Sequence, residues 1–226
     1  SGEDYDRKQK GTSSKVLIVD DHPIVRQGLA QIINRESDLS VCGEAQNADE
    51  ALKLVATLEP HIVTVDISLE GTSGMDLVKA LKSRYTGLPM LILSIYEESI
   101  YAERAISVGA RGYVMKQESP DVIINAIRTL LAGKQFFSEN IKERFIDKYQ
   151  YENVSGTKLS VDALTNREFE IFQFIGNGMG NKHVADKLNI SIKTVENYRD
   201  RIKNKLNLAN SQEVVQFAVQ WVLHHK

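Results

Sequence analysis

Between Lys15 and about Gly133 the apolar residues fall into two alternating patterns. Short runs at 15–19, 40–44, 62–66, 89–94 and 112–115 predict strands, and amphipathic stretches near 23–35, 48–58, 74–84, 98–108 and 119–132 predict helices. In the first of these stretches Ile24, Val25, Leu29, Ile32 and Ile33 recur at helical spacing. Such alternation with short connections predicts a parallel sheet covered on both faces, with right-handed crossovers. Past Gly133 the character changes: 134–150 fits one charged helix, and 151–160, polar with Gly and Ser, reads as a linker. Residues 1–14 are polar and aperiodic, which predicts a disordered or vector-derived leader.

The block 161–226 is helical throughout. Thr165 and Glu168 form a capping box ahead of Phe169, Phe172 and Ile175, and Gly178 closes that helix. A short helix at 181–187 is followed by a tight turn, with Asn189 suited to a left-handed position and Ser191 to an N-cap. Helices at 192–206 and 211–224 complete the block. The domains expected are therefore 15–133, the linker segment 134–160, and 161–226.

Composition narrows the class. With 226 residues, 42% hydrophobic and 26% charged, the chain has the profile of a soluble globular protein of two ordinary domains. No apolar run approaches the ~18 residues of a membrane span, and no secretory leader pattern opens the chain, so a cytoplasmic location is expected. The single cysteine, Cys42, lies in a strand-like run and reads as a small core residue. The net charge of −2 divides unevenly: 181–205 carries seven Lys or Arg against three acids, while the front of the chain is acidic. That split matches a nucleic-acid face behind a cation-binding pocket.

The chemistry sits at the strand ends. The first run leads into Asp20 and Asp21, the third into Asp66, the fourth into Ser94 and the fifth into Lys116. In a parallel sheet of order 2-1-3-4-5 these ends share the edge where open α/β sheets bind ligands. Clustered carboxylates repel one another, so they call for a divalent cation or a raised pKa, and hard oxygen ligands suit Mg²⁺. A carboxylate left partly uncoordinated is a nucleophile for phosphorus, with a lysine and a hydroxyl to hold phosphoryl oxygens.

The run from Lys15 through Asp20, Asp21 and His22 to Pro23, Asp66 followed by Ser73-Gly74, Ser94, and 109–116 ending in Lys116 resemble a bacterial response-regulator receiver domain. The resemblance implies a flavodoxin-like (βα)5 fold in which Asp66 accepts a phosphoryl group from a sensor histidine kinase. It implies that Asp20, Asp21, Asp66 and the Ser68 backbone carbonyl hold Mg²⁺. Lys116 would pair with the phosphoryl group, Ser94 would move to it, and Tyr113 would rotate inward as Ser94 moves. Such a domain catalyses only its own phosphorylation and dephosphorylation and is not otherwise an enzyme. The chain departs from the usual pattern at Glu70, where proline is common, and at Ser94, where threonine is.

In the helical block Val195, Tyr198, Ile202 and Leu206 form one buried stripe, leaving Lys193, Glu196, Asn197, Asp200 and Asn204 opposite. Leu164 to Glu168, Gly178, 181–185, 191–198 and Lys205-Leu206 resemble a LuxR-type helix-turn-helix, so the whole chain is similar to response regulators of the NarL/FixJ type. The resemblance implies that the third helix of this four-helix block reads double-stranded DNA at promoter half-sites. Lys182, Lys193, Thr194, Glu196, Asn197, Asp200, Arg201 and Lys205 are the expected contacts, with Glu196 and Asn197 toward bases and the cations toward phosphates. It also implies a homodimer when active, touching through Val214, Val215, Ala218 and Trp221, and a receiver that masks the reading helix until phosphorylation. Glu196 stands where lysine is usual and Gly180 where a hydroxyl cap is. The residues bear on three other readings. A phosphatase of the haloacid-dehalogenase type needs a second Asp where Ser68 stands, and a nucleotide-binding fold needs a glycine-rich loop after the first strand. A phospho-gated dimerisation module that binds DNA poorly would follow from Glu196 and Asp200.

Overall fold

The computed structural model describes residues 13–144 and 161–225. Five strands, β1 (Ser14–Val19), β2 (Leu39–Ala45), β3 (Ile62–Val65), β4 (Met90–Ser94) and β5 (Gly112–Met115), form one sheet of order β2-β1-β3-β4-β5. Every neighbouring pair is parallel. The crossovers are α1 (Pro23–Asn34), α2 (Ala48–Leu58), α3 (Gly74–Arg84) and α4 (Glu98–Val108), and α5 (Pro120–Leu131) follows β5. Successive strand residues face opposite sides. Val16 and Ile18 pack toward α1 and α5 with Leu29, Ile33, Leu91, Leu93 and Ile127. Leu17 and Val19 pack toward α2, α3 and α4 with Val55, Val78 and Ala102.

Local chemistry sets the element ends. Asn47 and Ser73 accept the first free amides of α2 and α3, and Pro23 and Pro120 open α1 and α5 where no amide donor is needed. Opposite the Val16–Leu17 step β2 holds one extra residue, Cys42, which is half-buried at this bulge rather than in the core. The charged helix expected from residue 134 begins later. Phe136 bridges β5 at Gly112 and Phe137 is buried, so the chain runs extended there and turns helical only at 139–144. Residues 145–160 and most of the expected leader lie outside the described residues.

A short 3-10 turn, Val161–Ala163, leads into α6 (Asn166–Gly176), α7 (Asn181–Leu188), α8 (Ile192–Lys205) and α9 (Ser211–His225). The Thr165–Glu168 capping box is formed, Asn189 sits at φ 52°, and Ser191 caps α8. Helix α6 ends at Gly176, two residues before Gly178, and a side chain at 176 would collide with the Ala218 backbone of α9. The apolar cluster on the α3–α4 side of the sheet continues without a break into α6, α8 and α9, through Tyr101, Phe169, Phe172 and Phe174. Each such fully buried side chain contributes about 1.5–3 kcal/mol.

Candidate phosphoacceptor pocket and nucleic-acid interface

At the C-terminal edge of the sheet, Asp20 follows β1 and Asp66 follows β3, both buried. Lys116, just past β5, reaches back with Nζ 2.5 Å from Asp20 Oδ2 and 3.1 Å from Asp66 Oδ2. One ligand atom from each of Asp20, Asp21, His22 and Asp66 falls within 4.8 Å of the others. His22 Nδ1 stands 2.7 Å from Asp21 Oδ1, so this exposed ring is a fourth group at the rim, marked in the sequence only by its place beside the aspartates. Gly74 lets α3 press against the chain at Asp66, where any Cβ would collide with the Asp66 carbonyl.

Burial drives the electrostatics. Removal from water pushes the Asp66 carboxyl up to about 7, with Lys116 opposing and Asp20 adding to the rise. Asp21 is also raised, mainly by burial, with His22 in opposition. Burial works against the Lys116 ammonium, but Asp66 and Asp20 outweigh it and hold its pKa above the usual lysine value. The buried oxygens Asp20 Oδ2 and Asp21 Oδ1 have no hydrogen bond of good geometry. Hard carboxylate oxygens gathered within 4.8 Å, in a pocket too acidic for one lysine to balance, fit a divalent cation such as Mg²⁺.

Ser94, at the end of β4, is fully buried and its Oγ accepts from the Tyr96 backbone N–H at 3.1 Å. Tyr113 departs from expectation. Its ring is already inside, 2% exposed, and its hydroxyl donates to the Tyr96 carbonyl at 2.7 Å. An inward rotation therefore has no outward starting point in this arrangement.

The loop between β3 and α3 meets the helical domain. Ser68 Oγ donates to Glu170 Oε1 (2.7 Å), and Arg167 donates to the carbonyls of Leu69 and Gly71. Glu70 accepts from the Asn189 side-chain amide at 2.5 Å. On the neighbouring face the Arg104 guanidinium lies 4.1 Å above the Phe169 ring and donates to the carbonyls of Leu164 and Val161. Of these residues Glu170 and Arg104 carry no mark in the sequence, and Asn189, Phe169 and the Leu164–Glu168 segment are marked there only for their turn, core and motif positions. In the structure α6 is buried along its whole length from Arg167 to Ile175 rather than along one stripe.

The expected masking of the reading helix is not what holds the domains together. In α8, Lys193, Glu196, Asn197, Asp200 and Arg201 are exposed, as is Lys182 in α7. Thr194 is half-buried and bonded to Ser191. Lys205 is tied to Glu168 at 2.7 Å, and Lys193 pairs loosely with Glu196 at 3.5 Å. The receiver grips α6 and the end of α9 instead. In α9, Val214 and Ala218 are in the core and cannot reach a second chain without unpacking the helix. Trp221 stacks on His225 and stands edge-on to Phe169 and Phe172, whereas Val215 is exposed.

This fold, with a strand-end acidic pocket ahead of a helix-turn-helix, defines a regulator that couples a receiver to a DNA-binding unit. Residues 16–128 match the response regulator receiver domain, and residues 162–218 match the bacterial regulatory proteins of the luxR family. The oxygen regulatory protein NreC of Staphylococcus epidermidis is 31% identical over 91% of this chain and 97% of its own, and that of Staphylococcus carnosus is 30% identical over the same shares. Among solved structures, a LuxR-family two-component response regulator from Aurantimonas is 32% identical with a TM-score of 0.56, covering 62% of this chain and 99% of that one. The RcsB response regulator of Salmonella typhimurium is 25% identical with a TM-score of 0.55, over 92% and 98%. The chain belongs to the two-component response regulators of the NarL type, with a LuxR helix-turn-helix as output. Among the described residues no helix is long and apolar enough to cross a membrane.

Proposed function

We propose that a partner histidine kinase phosphorylates Asp66 and that this gates dimerisation and sequence-specific DNA binding. The observation that carries the reading is the convergence of Asp20, Asp66 and Lys116 within ion-pair distance beside a buried Ser94 hydroxyl. In the transfer, an Asp66 oxygen forms the new P–O bond as the P–N bond to the donor imidazole breaks, its electron pair leaving on the imidazole nitrogen. Lys116 neutralises phosphoryl oxygens and Ser94 donates a hydrogen bond to one of them. Asp20, Asp21, Asp66 and the Ser68 carbonyl would hold Mg²⁺, which when bound offsets charge on the phosphoryl group.

On the output side, α8 offers Glu196 and Asn197 toward base edges, flanked by Lys182, Lys193 and Arg201 for phosphates. A dimer contact fits the stripe of Val215, Val219 and Leu223, at i, i+4 and i+8 on the outer side of α9, better than Val214 and Ala218. The test compares wild type with Asp66→Asn, each given Mg²⁺ and acetyl phosphate. Wild type alone should gain the mass of one phosphoryl group, dimerise and bind promoter DNA more tightly. Equal DNA binding by untreated and treated wild type would remove Asp66 from the switch.

A further inference from the structure

One line of hydrogen bonds joins the phosphoacceptor pocket to the interior of α6. The Tyr96 backbone N–H donates to Ser94 Oγ (3.1 Å), and the Tyr96 hydroxyl donates to Ser68 Oγ (3.3 Å). Ser68 passes its single proton on to Glu170 Oε1 (2.7 Å), whose second oxygen accepts from Arg167 (2.6 Å). Arg167 then returns to the loop, donating to the carbonyls of Leu69 and Gly71. Glu170 is fully buried and Arg167 is 8% exposed, so this pair is held at the seam and is not a surface ornament. Tyr96 also lies against the Phe174 ring of α6, with centroids 5.8 Å apart. Residues 68–71, beginning two positions after Asp66, are thus held at every position by the helical domain, since Glu70 is bonded to Asn189.

We propose that Glu170 and Arg167 are positioning residues of the phosphoacceptor site, supplied by the DNA-binding domain. They fix the 68–71 loop in a form that opposes phosphorylation. The inference rests on Asp66 being the acceptor. Two effects give it direction. A phosphoryl group on Asp66 adds nearly two negative charges beside the loop that the Glu170–Arg167 pair holds in place. It also draws Ser94 Oγ away from the Tyr96 amide, loosening the residue that supports Ser68. Docking and the phosphorylated state therefore oppose each other. The rate at which Asp66 takes a phosphoryl group is then a property of the two-domain chain.

The experiment measures phosphorylation of the full chain by acetyl phosphate with Mg²⁺, read as intact mass, for wild type, Glu170→Gln, Ser68→Ala and the double variant. Glu170→Gln should be phosphorylated about tenfold faster, within the usual range of coupling between sites. In the Ser68→Ala background the same change should alter the rate less than about twofold, because the contact it acts through is gone. A merely structural glutamate would act equally with or without Ser68. A Glu170→Gln rate equal to wild type, or an acceleration undiminished by Ser68→Ala, overturns the proposal. Should Glu170→Gln fail to fold, Ser68→Ala alone carries the test. It keeps the Ser68 carbonyl and removes the hydroxyl bonded to Glu170, so a clear acceleration is expected and an unchanged rate overturns the proposal. If wild type itself gains no Asp66-dependent mass, the acceptor reading fails rather than this one.

Discussion

Asp66 concentrates the tension in the molecule in one side chain. Its carboxyl is raised to about 7 by burial, against an ordinary value near 3.8. Between those values the folded chain binds a proton that the unfolded chain releases, so stability falls as pH rises through that window. The penalty is complete above pH 7 and absent below pH 4. Asp66→Asn, which resembles the protonated form, should therefore raise Tm by several degrees at pH 8 without divalent cation. The gain should shrink toward pH 4, and Mg²⁺ should narrow it by stabilising wild type alone; differential scanning calorimetry across pH checks this. At the same scale, Asp20, Ser94 and Lys116 were legible because each directly follows or ends an apolar run. Glu170 was not, because its partner Ser68 lies 102 positions earlier in the chain. Nothing local to α6 says which surface a polar residue on it will meet.

At the scale of elements, α8 separates two kinds of cation that look alike in sequence. Arg201 is exposed, lies over the Tyr198 ring at 5.4 Å and is available to a phosphate, whereas Lys205 is bonded to the capping-box Glu168. Arg201→Ala should weaken DNA binding and lower the slope of log affinity against log salt by about 1. Lys205→Ala should instead lower Tm, since Glu168 is held below its usual range by Lys205 and the Thr165 amide against the effect of burial. Salt titrations of DNA binding and thermal melts of both variants separate the two roles. The elements themselves were largely readable, because apolar periodicity and caps agree from β1 through α5. The helix expected from residue 134 begins only at 139, because Phe136 and Phe137 extend the chain beside the sheet edge, where adjacent aromatics favour a bridge.

At the scale of the whole molecule, two domains share one apolar cluster, and the closed form is held by α6 and α9 rather than by cover over α8. On the proposed gating, phosphorylation would change which surfaces α6 and α9 are free to use. This was the least legible level. The capping box and the strand ends report on their own neighbourhoods, whereas docking depends on faces whose partners lie far away in sequence. An α6 rich in aromatics on two sides was the one hint of a second contact.

The sole tryptophan stands at that seam. Trp221 stacks on His225 at 3.8 Å and abuts Phe169, while Ser99 of α4 donates to the carbonyl of His225. Separation of the domains would expose the indole to water on the side now facing α4. The chain therefore carries its own optical gauge of opening: emission excited at the indole band should shift to the red and change in yield on treatment with acetyl phosphate and Mg²⁺. The signal should stay flat in Asp66→Asn, so the kinetics of opening can be followed in unlabelled protein in a stopped-flow cell.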